Sequence, residues 1–455
     1  MSDAAAAYIA EAAKPACSDA DKWATSELGQ VATFRRGVSY DSSTLAESPA
    51  GARAYLNMKS FLKNGGYNYS GLKYFSGNVS ADDLLDGNCV LIANTDVTRE
   101  GDIIGAPITL PLALAGLEVV CSHHVTALRL QPQCDAQFIF YLLCLPRYRA
   151  VMRQHARGTT VLMLDPRSIE HIRFEHPSDV AEQRKIGEVL ETLDTTIRQT
   201  EAIIAKLKQV RQGLLHDLLT RGIDANGELR HPQSEAPHLY KQSPLGWIPK
   251  PWIVSSIDEA CSHVVDCPHS TPVFRDDGVL VARTMHIKAA IFLESLASRV
   301  SEAEYQERIA RLCPESGDVV FTREAPVGEA FLIPVGMKIC LGQRVMLLRP
   351  RQDKLCGEFL VAQIYSGAVA DRIAALTAGT TNPHLNVAEV RQFGIPLPPV
   401  CEQSAIRLHL SELNNRIRIE HAQVSKLHMA KSGLMDDLLT SRVRVTPLLA
   451  AARSP

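Results

Sequence analysis

Several signatures of membrane, secreted and metal-binding proteins are absent from this sequence of 455 residues. No uninterrupted run of about eighteen apolar residues occurs, so no transmembrane helix and no membrane partner are expected. The 11 cysteines form no CxxC pair, which favours reduced thiols in a cytoplasmic protein over a disulfide framework. The net charge is only −2, so any nucleic-acid binding must come from local basic patches.

Sequence motifs of catalysis are also missing. There is no GxxxxGK[ST] phosphate-binding loop, no GxSxG nucleophile elbow and no HExxH zinc motif. The segment TNPHL is similar to the Asn-Pro-Pro-aromatic loop of amino-methyltransferases, but it lacks the second proline and the aromatic residue. We therefore expect no catalytic residue and no cofactor bound by this chain.

The sequence does contain an internal repeat, with a shift of about 220 residues. The segment EQRKIGEVLETLDTTIRQTEAIIAKLKQVRQGLLHDLLTR in the first half matches EQSAIRLHLSELNNRIRIEHAQVSKLHMAKSGLMDDLLTS in the second. Upstream of these, GTTVLMLDPRSIEHIRFEHPS matches GTTNPHLNVAEVRQFGIPLPP, and GNCVLIANTDVTREGDIIG resembles SGDVVFTREAPVGEAFLIP. The repeat predicts a tandem duplication of mixed α/β (α+β) class, in which each copy has a globular part and a long helix.

Both predicted long helices carry a heptad seam of alternating three and four spacing. Apolar residues occupy it except at two gap positions in each helix, which are Thr200 and Arg211 in the first and Glu420 and Lys431 in the second. The seam residues are Leu190, Leu193, Ile197, Ile204, Leu207, Leu214 and Leu218 in the first helix, and Leu410, Leu413, Ile417, Val424, Leu427, Leu434 and Leu438 in the second. Asp179 is predicted to cap the first helix with Glu182 as its capping-box partner, and Gly222 to end it.

Two long helices with the same seam most simply bury it against each other, as an antiparallel coiled coil with a pseudo-two-fold axis. In the simplest register, Arg211 of the first helix lies beside Glu420 of the second. The alternatives are that each seam packs on its own globular part, or on a partner protein.

One short cluster has the residue types of a zinc site. Cys261, His263, Cys267 and His269 lie close together, but structural zinc sites use CxxC and HxxxH spacings. The corresponding segment of the first copy, ATFRRGVSY, has no such residues. We expect two buried thiols and two loop histidines, and no metal.

Basic and hydrogen-bonding residues cluster in the predicted loops of both globular parts. Arginine and lysine bind guanine edges or phosphates, asparagine binds adenine, and serine or threonine binds either. The DNA-binding candidates of the first copy are Arg35, Arg36, Lys59, Lys63, Tyr67, Lys73, Arg99, Arg157, Thr159 and Thr160. Those of the second copy are His269, Ser270, Arg275, Arg283, His286, Lys288, Arg323, Arg344, Thr380, Thr381 and Asn382.

Several of these segments resemble the specificity subunit of type I restriction–modification enzymes. The strongest are GTTNPHLNVAEVRQFGIPLPPVCEQSAI, KLKQVRQGLLHDLLTRGI with the linker SPLGWIPKPW, CPHSTPVFRDDGVLVARTMHIK and VVFTREAPVGEAFLIP. The resemblance covers nearly the whole chain. One departure is TTVLML in the first copy where the second has TTNPHL, and the two globular parts otherwise share little sequence.

The resemblance implies two target-recognition domains that each read half of a bipartite double-stranded DNA site, held apart by the two helices. It implies two methyltransferase subunits as partners, which bring S-adenosylmethionine and the catalytic residues. A motor-nuclease restriction subunit can join them and use ATP with Mg²⁺. The chain itself is expected to catalyse nothing.

This architecture gives a set of expected boundaries. They are an N-terminal segment 1–22, a recognition domain 23–178, a central spacer helix 179–222, a linker 223–250, a second recognition domain 251–400, a C-terminal spacer helix 401–443 and a tail 444–455. The alternatives are a methyltransferase or nuclease that acts alone, a coiled-coil scaffold that never contacts DNA, and the same component in a related methylation-based defence system.

Overall fold

The computed structural model describes residues 23–46, 48, 51–381 and 383–451. The predicted N-terminal segment 1–22 therefore lies outside the described residues. The chain forms two compact units. Unit 1 holds the chain up to Thr200 together with the residues from Ala422 onward, and unit 2 is Glu201–His421.

Within the described residues, the first half of the chain forms thirteen strands and three short helices before the first long helix. The strands are β1 Trp23–Glu27, β2 Ala32–Arg36, β3 Leu45–Ala46, β4 Arg53–Leu56, β5 Lys73–Phe75, β6 Cys89–Ala93, β7 Thr95–Asp96, β8 Pro107–Thr109, β9 Val119–Cys121, β10 Val125–Leu130, β11 Ala156–Arg157, β12 Leu162–Leu164 and β13 Arg173–Pro177. The helices are α1 Leu28–Val31, α2 Ala136–Cys144, α3 Pro146–His155 and the long helix α4 Val180–Thr220.

The second half repeats this order with small changes. Its strands are β14 Tyr240–Ser243, β15 Gly246–Pro249, β16 Ile253–Ser256, β17 Cys261–Asp266, β18 Val279–Ala282, β19 Ile287–Lys288, β20 Ile291–Phe292, β21 Arg299–Val300, β22 Val319–Thr322, β23 Ala330–Leu332, β24 Ile339–Leu341, β25 Val345–Pro350 and β26 Gly394–Leu397. Its helices are α5 Ile257–Ala260, α6 Glu302–Arg308, α7 Gly357–Tyr365, α8 Ala368–Thr377, α9 Val387–Arg391, the long helix α10 Val400–Leu438 and α11 Thr446–Ala451.

One four-stranded antiparallel sheet has the same topology in both units, which confirms the tandem duplication. Unit 1 has a four-stranded sheet in the order β2-β10-β6-β8, and unit 2 has the matching order β17-β25-β22-β23. All neighbours in both sheets are antiparallel. Each unit also contains one parallel pair, β4 with β9 and β18 with β24, and one antiparallel pair that closes the domain, β1 with β13 and β16 with β26.

Apolar strands place the core of each unit between this sheet and the helices. Every residue of β6 is buried, as is every residue of β22, because both strands have a neighbour on each side and are covered on both faces. In unit 1 the core continues through α2 to Ile186 and Leu190 of α4, and to Leu438 and Leu439 at the end of α10. In unit 2 it continues through α7 to Leu215 and Leu218 of α4 and to Ile406 of α10.

The predicted heptad seams coincide with the least exposed stripe of both long helices. None of the predicted seam residues is exposed, and Leu190, Ile197, Ile204, Leu218 and Leu438 are fully buried. Between residues 410 and 434 of α10, only the seam positions and the two gap positions, Glu420 and Lys431, avoid full exposure. The three-four spacing therefore identified the buried face of each helix.

The two long helices run antiparallel within each unit. In unit 1, Lys431 Nζ of α10 lies 2.6 Å from Asp194 Oδ1 of α4. In unit 2, Arg211 Nε of α4 donates to Asn414 Oδ1 of α10 at 2.6 Å. The expected neighbour of Arg211 was Glu420, whereas its hydrogen-bond partner is Asn414, about 9 Å along the helix from Glu420 at 1.5 Å per residue. Glu420 pairs instead with Arg416 on its own helix, at 3.0 Å.

A glutamate in the first turn of each long helix is clasped by an arginine from the segment that follows the other helix. In unit 1, Arg444 Nε and Nη2 donate to the two oxygens of Glu182, both at 2.7 Å. In unit 2, Arg230 Nη1 and Nη2 donate to the two oxygens of Glu402, at 2.5 and 2.9 Å. Glu182 is therefore bound by Arg444 rather than serving the predicted capping box, although Asp179 Oδ1 does accept from Ala181 N at 2.9 Å.

The next residue in both helices is a fully buried glutamine that fastens the helix to its globular part. Gln183 donates to Pro177 O at 2.8 Å and accepts from Asp135 N at 2.9 Å. Gln403 donates to Pro398 O at 2.9 Å and accepts from Cys356 N at 2.9 Å. The repeated dipeptide EQ thus marks the same junction in both units.

Gly222 ends α4 as predicted, in the left-handed conformation with φ +62°. A side chain here would also collide with the clasp, since an added Cβ would lie 2.2 Å from Glu402 Oε1. Among the described residues, no single helix is long and apolar enough to cross a membrane, while α7 and α8, bent by 44°, pass that length and composition test as a pair.

Candidate nucleic-acid interface

Three segments of the repeat converge at one point of each globular part. In unit 1, Asn94, which follows β6, donates its N–H to His124 O at 2.9 Å and accepts at its carbonyl from Leu164 N at 2.8 Å. In unit 2, Arg323, which follows β22, donates its N–H to Arg344 O at 2.9 Å and accepts from Leu385 N at 3.1 Å. The same backbone frame therefore supports different side chains in the two units, and we call this place the strand-end site.

The strand-end site of unit 1 opens into a cavity of about 440 Å³. Its lining residues are Arg36, Asn94, Gln154, His155, Arg157, Met163, Leu164, Asp165, Pro166 and Ser168. Arg36 Nε donates to His123 O at 2.6 Å. Among the described residues, neither Arg36 nor Arg157 forms an ion pair with a carboxylate, so their positive charge is available to an anionic ligand.

Two histidines with tilted rings lie beside this site. The rings of His123 and His124 lie 3.9 Å apart between centroids, and His124 Nδ1 is 3.1 Å from Thr95 Oγ1. Burial, with the positive charge of Arg36 nearby, lowers the pKa of His123. Burial and the neighbouring His123 likewise lower the pKa of His124, so both rings are neutral near pH 7 and add no charge to the cavity.

Other candidates of unit 1 divide between paired and unpaired groups. Arg35 Nη2 donates to Asp83 Oδ1 at 2.7 Å, and this hydrogen bond holds the pKa of the Asp83 carboxyl below its ordinary value. Lys63 Nζ lies 2.6 Å from Asp102 Oδ2. The hydroxyl of Tyr67 is buried without a partner, and its burial raises the pKa to about 12. The exposed candidates are Lys59, Lys73, Arg99, Thr159 and Thr160.

Two candidates of unit 2 lie inside the domain. The side chain of Arg323 is only 6% exposed and its Nη2 is 3.0 Å from Asp266 Oδ1. His286 is 3% exposed and its Nδ1 lies 3.3 Å from Val281 O. Neither side chain can contact a duplex as it is placed, so both help to hold the domain together and neither is a DNA contact.

The other described candidates of unit 2 reach the surface. Arg283 stacks its guanidinium 4.6 Å from the centroid of the Phe274 ring. Ser270 is held by Arg308, whose Nη2 donates to the Ser270 carbonyl at 2.7 Å. The exposed candidates are His269, Ser270, Arg275, Lys288, Arg344, Thr380 and Thr381. Asn382 lies outside the described residues.

The residues of the suspected zinc cluster do not share one environment. Cys261 and Cys267 are buried, whereas His263 and His269 are exposed. Among the described residues, no group of three or more histidine, cysteine, aspartate or glutamate side chains is arranged to hold a metal ion.

Sequence reasoning missed two members of the strand-end site of unit 2, Glu324 and His384. Glu324 Oε2 lies 3.3 Å from Arg344 Nε, and Glu324 Oε1 lies 3.0 Å from His384 Nδ1. Glu324 and His384 also form an isolated antiparallel bridge through their backbones. The predicted candidates are basic, amide, hydroxyl and histidine side chains, so the carboxylate of Glu324 in the segment VVFTREAPVG was not among them.

Comparison with known proteins identifies what this chain is similar to. A family model described as the type I restriction modification DNA specificity domain matches residues 20–209 and 289–428. The MjaVIII specificity subunit of a type I restriction enzyme from Methanocaldococcus jannaschii is 24% identical over 326 residues, which is 69% of this chain and 72% of the relative. The EcoBI specificity subunit from Escherichia coli is 22% identical over 409 residues, 86% of this chain and 79% of the relative.

The fold is also found among solved structures. The crystal structure of the S subunit of a type I restriction–modification system from M. genitalium superposes with a TM-score of 0.55 at 12% identity, over 93% of this chain and 98% of that one. The two segments matched by the family model fall in the two copies of the repeat and cover most of the sequence. The chain belongs to the type I restriction modification DNA specificity family.

Proposed function

We propose that this chain is the sequence-reading subunit of a type I restriction–modification complex and that it binds a bipartite duplex DNA site. The observation that carries the proposal is the repeated strand-end site, which keeps one backbone frame and changes its side chains from unit 1 to unit 2. Two readers of this kind, joined by continuous helices, suit two half-sites with a fixed gap between them.

Partners supply the chemistry in this proposal. Two methyltransferase subunits bind the chain and bring S-adenosylmethionine together with the catalytic residues, and a motor-nuclease subunit that uses ATP and Mg²⁺ can join them. The chain holds no cofactor and catalyses no step, and the complex acts in the cytoplasm. The relatives named as specificity subunits of restriction enzymes support this assignment.

The test is co-expression of the chain with the methyltransferase encoded beside it, followed by mapping of methylated bases in the host DNA. We expect one bipartite motif with a gap of constant length. Binding to a duplex with this motif should weaken steeply as salt rises, because phosphate contacts release counterions. An assembled complex that methylates no defined motif would contradict the proposal.

A further inference from the structure

The strand-end site of unit 2 carries different polar side chains from its counterpart in unit 1. Backbone hydrogen bonds define the matches. Gly37 N donates to Val125 O at 3.0 Å, and Cys267 N donates to Val345 O at 3.2 Å. The residue before each donor is Arg36 in unit 1 and Asp266 in unit 2, so a free cation is replaced by a carboxylate.

One side-chain contact is conserved in position and changed in kind. In unit 1, His124 Nδ1 lies 3.1 Å from Thr95 Oγ1, a contact between two neutral groups. At the matching positions of unit 2, Arg344 Nε lies 3.3 Å from Glu324 Oε2, a contact between two charges. The fold fixes where this pair sits and leaves its chemistry variable, as expected of positions that read different bases.

We propose that Glu324 is a base-reading residue of unit 2, which accepts a hydrogen bond from the exocyclic amino group of a cytosine or an adenine in the major groove. Arg344 and His384 position its carboxylate. The inference rests on the proposed function, since it needs a duplex bound at this face.

Burial and geometry support the assignment. The side chain of Glu324 is 31% exposed, while Arg344 and His384 beside it are 56% and 51% exposed. Each carboxylate oxygen has one partner at this site and can accept a further hydrogen bond. Arg344 adopts the left-handed conformation with φ +67°, which is unfavourable for a residue with a side chain and which turns the backbone tightly between β24 and β25.

The negative charge of Glu324 distinguishes base reading from phosphate binding at this position. A carboxylate on a DNA-facing surface repels phosphates, so it weakens sequence-independent binding. The carboxylate strengthens DNA binding only where an amino group donates a hydrogen bond to it. Cytosine N4 is the usual partner of glutamate in the major groove. Removal of the charge should therefore lower discrimination without lowering affinity for unrelated DNA.

The experiment compares Glu324→Gln with Glu315→Gln in the complete complex with the methyltransferase. Glu315 is the matched control, because it precedes the same strand, β22, at its other end, and its side chain is 65% exposed and paired with Arg349. We expect E324Q to relax the motif at one position of one half-site, with about a tenfold to hundredfold loss of discrimination, of the order of one hydrogen bond to a charged group. Its affinity for unrelated DNA should stay equal or rise, and E315Q should behave as the wild type.

Glu324→Thr is the second variant, since unit 1 carries Thr95 at the matching position and the fold accepts that residue there. A further experiment measures binding of the wild-type complex to DNA that lacks the amino group. In this DNA 2-pyrimidinone replaces cytosine, or purine replaces adenine. One such replacement should weaken wild-type binding about tenfold and have little effect on either Glu324 variant.

An unchanged motif and unchanged discrimination in both Glu324 variants would overturn the inference and leave the proposed function intact. A wild-type complex that binds no bipartite site would instead remove the proposed function, and the inference with it.

Discussion

Each long helix has a buried ion pair in its first turn. Glu402 is 8% exposed and accepts from Arg230, from Ile223 N at 3.0 Å and from Trp252 Nε1 at 3.0 Å. We expect Glu402→Ala to lower the free energy of unfolding of unit 2 by about 3–5 kcal/mol, because it leaves a buried guanidinium without its partner. Denaturant titration followed by circular dichroism measures this loss.

The control for this prediction is Glu412→Ala, on the exposed face of the same helix, which should change stability by less than about 0.5 kcal/mol. Replacing the pair together, as Glu402→Leu with Arg230→Met, should recover part of the loss, since no unpaired charge is then left inside. Equal stabilities of the two alanine variants would show that the clasp contributes nothing.

The Arg35–Asp83 pair should make stability depend on pH in acid. The hydrogen bond from Arg35 lowers the pKa of Asp83, so the stabilisation is present above the unfolded pKa of about 3.9 and is lost as pH falls through the folded value. Arg35→Met should therefore cost about 0.5–1 kcal/mol at pH 7, a small amount because the Arg35 side chain is 40% exposed and screened by solvent.

Denaturant titrations between pH 7 and pH 3 test this prediction, and the cost of Arg35→Met should shrink towards the acid end. Arg99→Met is the control, since Arg99 is exposed and forms no ion pair with a carboxylate among the described residues, so its contribution should not vary over that range. A cost that stays constant with pH would mean that Asp83 is not stabilised by Arg35.

The sequence predicted which segments carry candidate DNA contacts better than it predicted which of their side chains are exposed. Arg323 and Arg344 were equal candidates, yet the first is 6% exposed and the second 56%. Successive residues at a strand end point to opposite faces of the sheet. A single sequence does not show which of these faces is covered by the rest of the domain. Glu324 was missed for the related reason that a carboxylate suggests DNA binding only when its neighbours in space are known.

The long helices are the element whose sequence was most informative. Leu207 of α4 lies on the seam and is half-buried, whereas Ile203, four residues earlier, is 47% exposed. We expect Leu207→Asp to lower the free energy of unfolding by about 3 kcal/mol, because a charge enters the packed layer. The matched variant Ile203→Asp should cost less than about 1 kcal/mol.

Thermal unfolding measures the stability of the two variants, and co-purification measures their assembly with the methyltransferase. Leu207→Asp should fail to assemble with the methyltransferase, so no change in base preference would be observed. If both variants unfold alike, the burial of the seam does not stabilise the helix pair.

The buried face of each helix could be predicted, but the contacts that fasten the helix could not. Heptad spacing depends on side chains within one helix, and it marked the same positions that the structure covers. Gln183 and Gln403 bind backbone atoms of Pro177 and Pro398. These contacts join residues of the helix to the preceding strand and loop, so helical periodicity carries no information about them.

Across the whole molecule, the features shared by the two copies and the features that differ should have separate roles. The loop Gly158–Thr160 and its counterpart Gly379–Thr381 have the same sequence, GTT, and their threonines are exposed. Arg36 and Asp266 occupy matched positions and differ in charge. Half-sites of different sequence require different readers, whereas the phosphate backbone is the same at both.

We therefore predict opposite outcomes for variants of these two classes. Replacing Thr159 and Thr160 by alanine should weaken binding to the cognate site and to unrelated DNA by the same factor, because the contacts they lose are to phosphate. The mapped methylation motif should stay unchanged.

Arg36→Ala should instead lower the free energy of binding by about 1–3 kcal/mol at one half-site only and relax the motif there. Titration of cognate, half-substituted and unrelated duplexes at one salt concentration separates the two classes. An equal loss on all three duplexes for Arg36→Ala would make it a phosphate contact, and the cavity of unit 1 would then hold the backbone rather than a base.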